Sequence, residues 1–474
     1  MKEGSCISQV IVPNFFNHKL LHIFLIILIK FRNPIKMVNM NQDYTRYTID
    51  KYILKITGVF NYDKAFNIKA LQSDFEELQF SEETLKFSKD YFYPEFRKQF
   101  FSSDKARHKI LIKNHHDALK VNLFEFKRNS ETEIAKDIAL FIKDSRLDLF
   151  EDGFGMFTLN IQIDADSITL FQYSDACYLT RNFESKIKNS KYEKWHELIE
   201  NEILLGSLTK GKSVLVDEYS GSKYKLYMVV DIPELQQKET IKPLLFDIGT
   251  VSMIGSANGN TYFSMDKDYI KQLVKHNSIS VFNNWEGLAL LDTFSVVGNK
   301  ILDTDWKLFT YTSIYHSIYL YGLFIKYELF KHNYDISDLD EDKREDFQDF
   351  IAKYYYNYLS YNFLPTEIYN KIRLSLDIEK ELNLLNEKIV AVGQRIQEEQ
   401  QDRTNKILGI VTVLSSLSSA QPVYDYLIIG QKILGWNVAF YWTVTISIVL
   451  LLIAGIAFYV FGRNILKWIK KRKK

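Results

Sequence analysis

The stretch "VAFYWTVTISIVLLLIAGIAFYVF", Val438 to Phe461, constrains the chain more than any other, because it runs for 24 residues without a charge. A helix of that length rises roughly 36 Å, enough to cross the hydrocarbon of a bilayer with some tilt. It is followed by "GRNILKWIKKRKK", in which Arg463, Lys467, Lys470, Lys471, Arg472, Lys473 and Lys474 meet no acid. The positive-inside bias predicts a cytoplasmic tail there; a nucleic-acid patch is the other use of such a run.

Composition narrows the rest. A chain of 474 residues, 46% hydrophobic and 25% charged, can bury a large core and hold more than one domain. Its net charge of +1 gives no whole-chain attraction to nucleic acid, and no direct nucleic-acid binding is expected. Cys6 and Cys177 are too few for a disulfide framework or a cysteine-based zinc site, which fits a reducing compartment. Near the N-terminus, Leu20 to Ile29 is apolar but interrupted by His22 and too short to span. Residues 1–36 therefore read as a dispensable or misannotated extension ahead of Met37.

Upstream of the uncharged segment, Ile378, Leu382, Leu385, Ile389, Val392 and Ile396 recur in steps of 4 and 3, the seam of a helix that associates with other helices. No proline interrupts the chain between Pro365 and Pro422, so one continuous helix is expected from about Thr366 into a first span at 407–429. On that helix Asn405, Thr412, Ser415, Ser416 and Ser419 share one side with Leu408, opposite Ile407, Ile410 and Leu414. Such a hydroxyl stripe lines an aqueous or ion path, or else lets helices pack closely. Gln421, Pro422 and Asp425 mark its outer end, where the helix is expected to break.

The segment "NKILGIVTVLSSL" and this layout resemble the CorA family of magnesium transport proteins. The resemblance implies a homo-oligomeric cation channel, five-fold in that family, in the cytoplasmic membrane with both termini inside. It implies Asn405 at the cytosolic pore mouth, Leu408 and Val411 at a hydrophobic constriction, and Thr412 beside them. The family's Gly-Met-Asn signature is absent; the corresponding place reads "PVYDYLIIG", where Tyr424, Asp425 and Tyr426 stand at the expected outer entrance. CorA-like proteins with altered signatures include those encoded with type III CRISPR systems, which implies an alternative: a membrane effector of antiviral defence gated by a small nucleotide. A non-conducting, membrane-anchored binding or scaffold protein is the third reading.

Residues 37–335 are expected to form an α/β or α+β sensory domain. Strands are predicted at "HKILIKN", "KVNLFEFKR", "GMFTLNIQI" and a hairpin of "SVLVDEY" with "KYKLYMVVDI". Gly255 to Asn260 reads as a hairpin turn rather than a phosphate loop, because no Gly-Lys-Ser/Thr element follows. His115, His116 and Asp117 read as an exposed polar loop. No nucleophile and base arrangement is legible, and no enzyme is expected. Residues 336–406 hold an acidic helix and the stalk; Asp338, Asp340, Glu341, Asp342, Glu345 and Asp346 would attract a divalent cation such as magnesium, or simply form a solvated face. A short outer loop at 430–437, a second span at 438–461 and the tail at 462–474 complete the expected order. No cofactor beyond such a cation is expected.

Overall fold

The computed structural model describes residues 44–434 apart from 63–70, 72–73, 102–107, 127–133, 152, 205–220, 236–237, 260–264 and 336–340, together with 444–446 and 448–449. They divide into two compact units, Met1–Ser317 with Asn362–Lys371, and Ile318–Tyr361 with Ile372–Lys474.

The first unit is built on a ten-stranded mixed sheet. Its strands are β1 (Lys51–Asn61), β2 (Glu76–Glu77), β3 (His108–Phe126), β4 (Ile134–Phe150), β5 (Phe154–Ile163), β6 (Lys186–Lys188), β7 (Lys225–Asp231), β8 (Ser278–Ile279), β9 (Trp285–Ala289) and β10 (Thr293–Gly298). The order is β8-β9-β10-β7-β1-β5-β4-β3-β2, with β6 also on β3. Among the described residues only β10 and β7 run parallel, with Gly298 opposite Asp231. Helices α1 (Glu82–Tyr91), α2 (Pro94–Phe100), α3 (Leu170–Arg181), α4 (Lys238–Gly249) and α5 (Lys267–Asn277) accompany the sheet. The main apolar core runs through Ile56, Phe60, Leu147, Phe157, Leu226 and Met228, where alternate strand residues point to one face.

The opposite face carries polar residues that are also buried. Thr57 and Thr158 share a hydrogen bond of 3.1 Å across β1 and β5. Asp148 takes two hydrogen bonds from Arg146, at 2.7 and 2.8 Å, and lies 2.8 Å from His108 Nε2. His108 Nδ1 faces the Gln99 carbonyl at 3.1 Å. Burial opposes the Asp148 charge, but Arg146 and His108 together hold its carboxyl down to about 2.

Two expectations change here. "HKILIKN" and "KVNLFEFKR" are one strand, β3, with an irregularity between Asn114 and Leu119; His115 therefore lies in a strand, with Nε2 3.2 Å from Ser145 Oγ, and not in an exposed loop. The "SVLVDEY" strand lies outside the described residues. Ser256–Asn258 is a 3-10 turn after α4, flanked by Gly255 and Gly259 at φ 95° and 76°, and among the described residues it joins no pair of strands. The turn forms because Asp247 collects its amides: Gly255 N donates at 2.7 Å, Ala257 N at 2.9 Å, and the Tyr44 hydroxyl at 2.7 Å. Burial pushes the Asp247 carboxyl up to about 6 against these donors. Asp247→Asn keeps the size but sets an amide N–H₂ against donors; unfolding in urea is expected to show a loss of about 1–3 kcal/mol.

The second unit is helical. It holds most of α6 (His316–Asp335), α7 (Glu341–Tyr354), the end of α8 (Phe363–Ser375) and α9 (Ile378–Leu434). A Cβ on Gly322 would meet Ile372 Cγ2 at 2.4 Å, so the Ile372 side chain of α8 packs directly on the α6 backbone there. The Tyr321 hydroxyl donates to the Tyr354 carbonyl and accepts from Tyr356 N, both at 2.8 Å, closing the end of α7. The expected single stalk helix from Thr366 is two helices: Asp377, at φ 54°, turns the chain between α8 and α9. Helix α9 then runs through Pro422 to Leu434 without the expected break.

The membrane expectation is corrected. Among the described residues no helix is long and apolar enough to cross a membrane. Within α9 the expected first span is diluted by Thr412, Ser415, Ser416, Ser418, Ser419, Gln421 and Asp425, the same polar residues that suggested a pore. Most of the expected second span, and all of the basic tail, lie outside the described residues. The two-span fold class and the placement in a cytoplasmic membrane therefore lose their support. What the described residues form is a mixed α/β unit with a large sheet, followed by long helices.

Candidate functional site

The clearest concavity belongs to the first unit, a cavity of about 450 Å³. Six aromatic residues line it, Tyr91, Phe282, Trp285, Trp306, Tyr311 and Tyr315, with Lys300 and Lys307 among the polar groups. Ring centroids step from Phe282 to Trp285 at 5.6 Å, from Trp285 to Tyr311 at 6.5 Å, and from Tyr311 to Tyr315 at 5.2 Å. The last two pairs are edge-on, so the ring faces turn different ways around the space.

Each wall has a local cause. Trp285 begins β9 opposite Gly298 at the end of β10. A Cβ on Gly298 would meet Trp285 Cβ at 2.5 Å and the Asn284 carbonyl at 2.7 Å, so only glycine allows this approach. Lys300 sits in the turn just beyond, at φ 55°. That conformation is held by Asp231 at the end of the parallel neighbour β7, whose carboxylate accepts from Lys300 N at 2.6 Å and Leu302 N at 2.8 Å. The site thus lies beyond the carboxyl ends of the one parallel pair, where open α/β sheets commonly take ligands.

The third wall is the helix that follows. Thr304 caps it, accepting from Lys307 N at 3.3 Å, which fixes exposed Trp306 in the first turn. Thr310–Tyr315 then widens into a π-helical turn. Two sheet residues hold its carbonyls: the Tyr227 hydroxyl donates to Tyr311 O at 2.6 Å, and Lys55 Nζ to Thr312 O at 3.0 Å. Such turns spend one residue more than an α-helical turn and re-aim side chains, here Tyr311 and Tyr315. Burial pushes both phenols up, which keeps them neutral. Burial also lowers Lys55 to about 8, with Asp144 countering. Lys307 is engaged by Asp303, at 2.7 Å, and by the Lys300 carbonyl, at 2.8 Å, whereas the Lys300 side chain is exposed.

None of the site residues predicted from sequence lies at this cavity. Asn405, Leu408, Val411, Thr412 and Ser415 are exposed on α9; the side chains of Ser416 and Ser419 are outside the described residues. Thr412 Oγ1 donates back to Leu408 O at 2.7 Å, satisfying the hydroxyl within its own helix. Of the expected entrance, Asp425 and Tyr426 are exposed and the Tyr424 side chain is outside the described residues. Asp338 and Asp340 are likewise outside, as is the Glu341 side chain; Asp342, Glu345 and Asp346 are exposed on α7. Among the described residues no group of three or more His, Cys, Asp or Glu is placed to hold a metal ion.

The signal for the cavity was present in sequence as "VFNNWEG" and "DTDWKLFTYTSIY", two aromatic-rich segments separated by β10. Comparison with family models, with curated proteins and with solved structures finds no match for this chain.

Proposed function

We propose that the chain is a binding protein whose first unit senses a small molecule of the nucleotide class, without chemistry on it. The observation that carries this reading is the ring-lined cavity with Lys300 and Lys307 in its wall. A volume of about 450 Å³ suits a ligand of nucleotide size. Aromatic faces stack flat heterocycles, and lysine ammonium groups attract the phosphate. An ammonium ligand, which aromatic cages also take, would meet like charge here. The lining offers rings, amides, a threonine and lysines, with no nucleophile set against a base.

Trp285 and Trp306 provide the readout. Titrating the intact chain with AMP is expected to give a saturable change in tryptophan fluorescence. Adenosine should bind about tenfold more weakly for want of the phosphate, and inorganic phosphate alone should leave the signal unchanged. The absence of a saturable change with AMP at millimolar concentration would contradict the reading.

A further inference from the structure

Helix α9 is 57 residues long, and its beginning is covered. Ile378 and Leu385 are fully buried, and Glu381 is held by Lys326 at 3.1 Å and by Asn333 at 2.8 Å. Further along, Arg344 approaches it: its Nη1 would lie 3.7 Å from a Cβ on Gly393. From Gln397 to Thr412 every residue except Gly409 is exposed. Ile407 and Ile410 are each 61% exposed and Leu414 60%, which is more apolar surface than an isolated helix keeps in water.

The heptad seam does not stop where the cover stops. Continued in steps of 3 and 4 it reads Ile389, Val392, Ile396, Glu399, Arg403, Lys406, Ile410 and Val413: apolar at both ends and charged in the middle. Paired in register and parallel, two copies would stack Glu399 on Glu399, Arg403 on Arg403 and Lys406 on Lys406, three like-charge layers in succession. An antiparallel pair with its two-fold axis at the height of Gln401 changes this. It sets Glu399 against Arg403 of the other copy twice, Val392 against Ile410, and Ile389 against Val413. Ile396 then meets the aliphatic stem of Lys406, whose ammonium group reaches past it to water. Among the described residues neither Glu399 nor Arg403 has an ion-pair partner within the chain.

We infer that the partner of this surface is a second copy of the chain, bound antiparallel through residues 389–413 of α9. The contact is isologous, roughly 37 Å long, and closed by its own symmetry. It is independent of the ligand reading, since no residue of the cavity takes part.

Cross-linking tests it, in the intact chain with Cys6→Ser as background; Cys177 is buried. Ile396→Cys protein mixed with Lys406→Cys protein and mildly oxidised is expected to give the mixed disulfide dimer. Ile396→Cys alone should give none, because its two copies lie roughly 15 Å apart along the axis. Glu399→Arg should weaken dimerisation about tenfold by mass measurement against concentration, and adding Arg403→Glu should restore it. Self-linking of Ile396→Cys would show a parallel coil, and a monomer at all concentrations would show no coil; either overturns the inference.

Discussion

Replacing Asp148 with Ala is expected to destabilise the first unit by about 3–5 kcal/mol, measured by urea unfolding. The carboxylate is fully buried and serves two partners, the Arg146 guanidinium and the His108 ring. Its removal leaves a guanidinium in the interior without its counter-charge, which costs far more than the lost contact. A loss below about 1 kcal/mol would mean that water or another acid takes over the site. The same group sets an acid limit. Its folded value, about 2, lies below the unfolded value near 3.8, so its contribution is present above pH 4 and lost as pH falls from about 4 to 2. Asp247 has the opposite sign: its folded value of about 6 lies above 3.8, so its contribution is present in acid and lost as pH rises through about 6. Stability against pH is expected to show both slopes, each flattened in the corresponding variant.

The second large effect concerns the cavity. Trp306→Ala removes an exposed ring from the wall and leaves the sheet untouched, so AMP affinity should fall by about 5- to 100-fold, the range of one base stack. Lys300→Glu replaces attraction for the phosphate by repulsion and should cost about tenfold more for AMP than for adenosine. Unfolding midpoints should be unchanged in both, since both side chains are exposed. Equal affinity in parent and Trp306→Ala would place the nucleotide elsewhere.

Much of the sheet is legible in the order of residues along the chain. "GMFTLNIQI" alternates as a half-buried strand does and "KYKLYMVVDI" carries the continuous apolar run of a buried one, and they are β5 and β7. The continuity of β3 is not, because "HHD" interrupts its pattern and reads locally as a loop, while pairing with β4 on both sides of the irregularity carries the strand through. The turn at Asp377 is hidden for a related reason. Its neighbours are good helix formers, and only the left-handed φ of one aspartate separates α8 from α9.

The cavity is less legible still, because it joins residues near 91, 282–285, 300–315 and 362–365 that share no motif. Their meeting depends on Gly298 letting Trp285 approach and on Asp231 fixing the Lys300 turn, and both act across strands distant in sequence. The reading of α9 as a membrane span erred differently: its apolar residues stand at helical spacing, but Thr412, Ser415, Ser416, Ser418, Ser419, Gln421 and Asp425 dilute them below what a span needs.

Hydrogen–deuterium exchange on the intact chain, with and without AMP, tests the central claim most directly. The account predicts slowed exchange in three separated segments, 282–287, 300–315 and 362–366, which come together only around the cavity. AMP binding with protection confined to other segments, or no protection anywhere at saturating AMP, would contradict it.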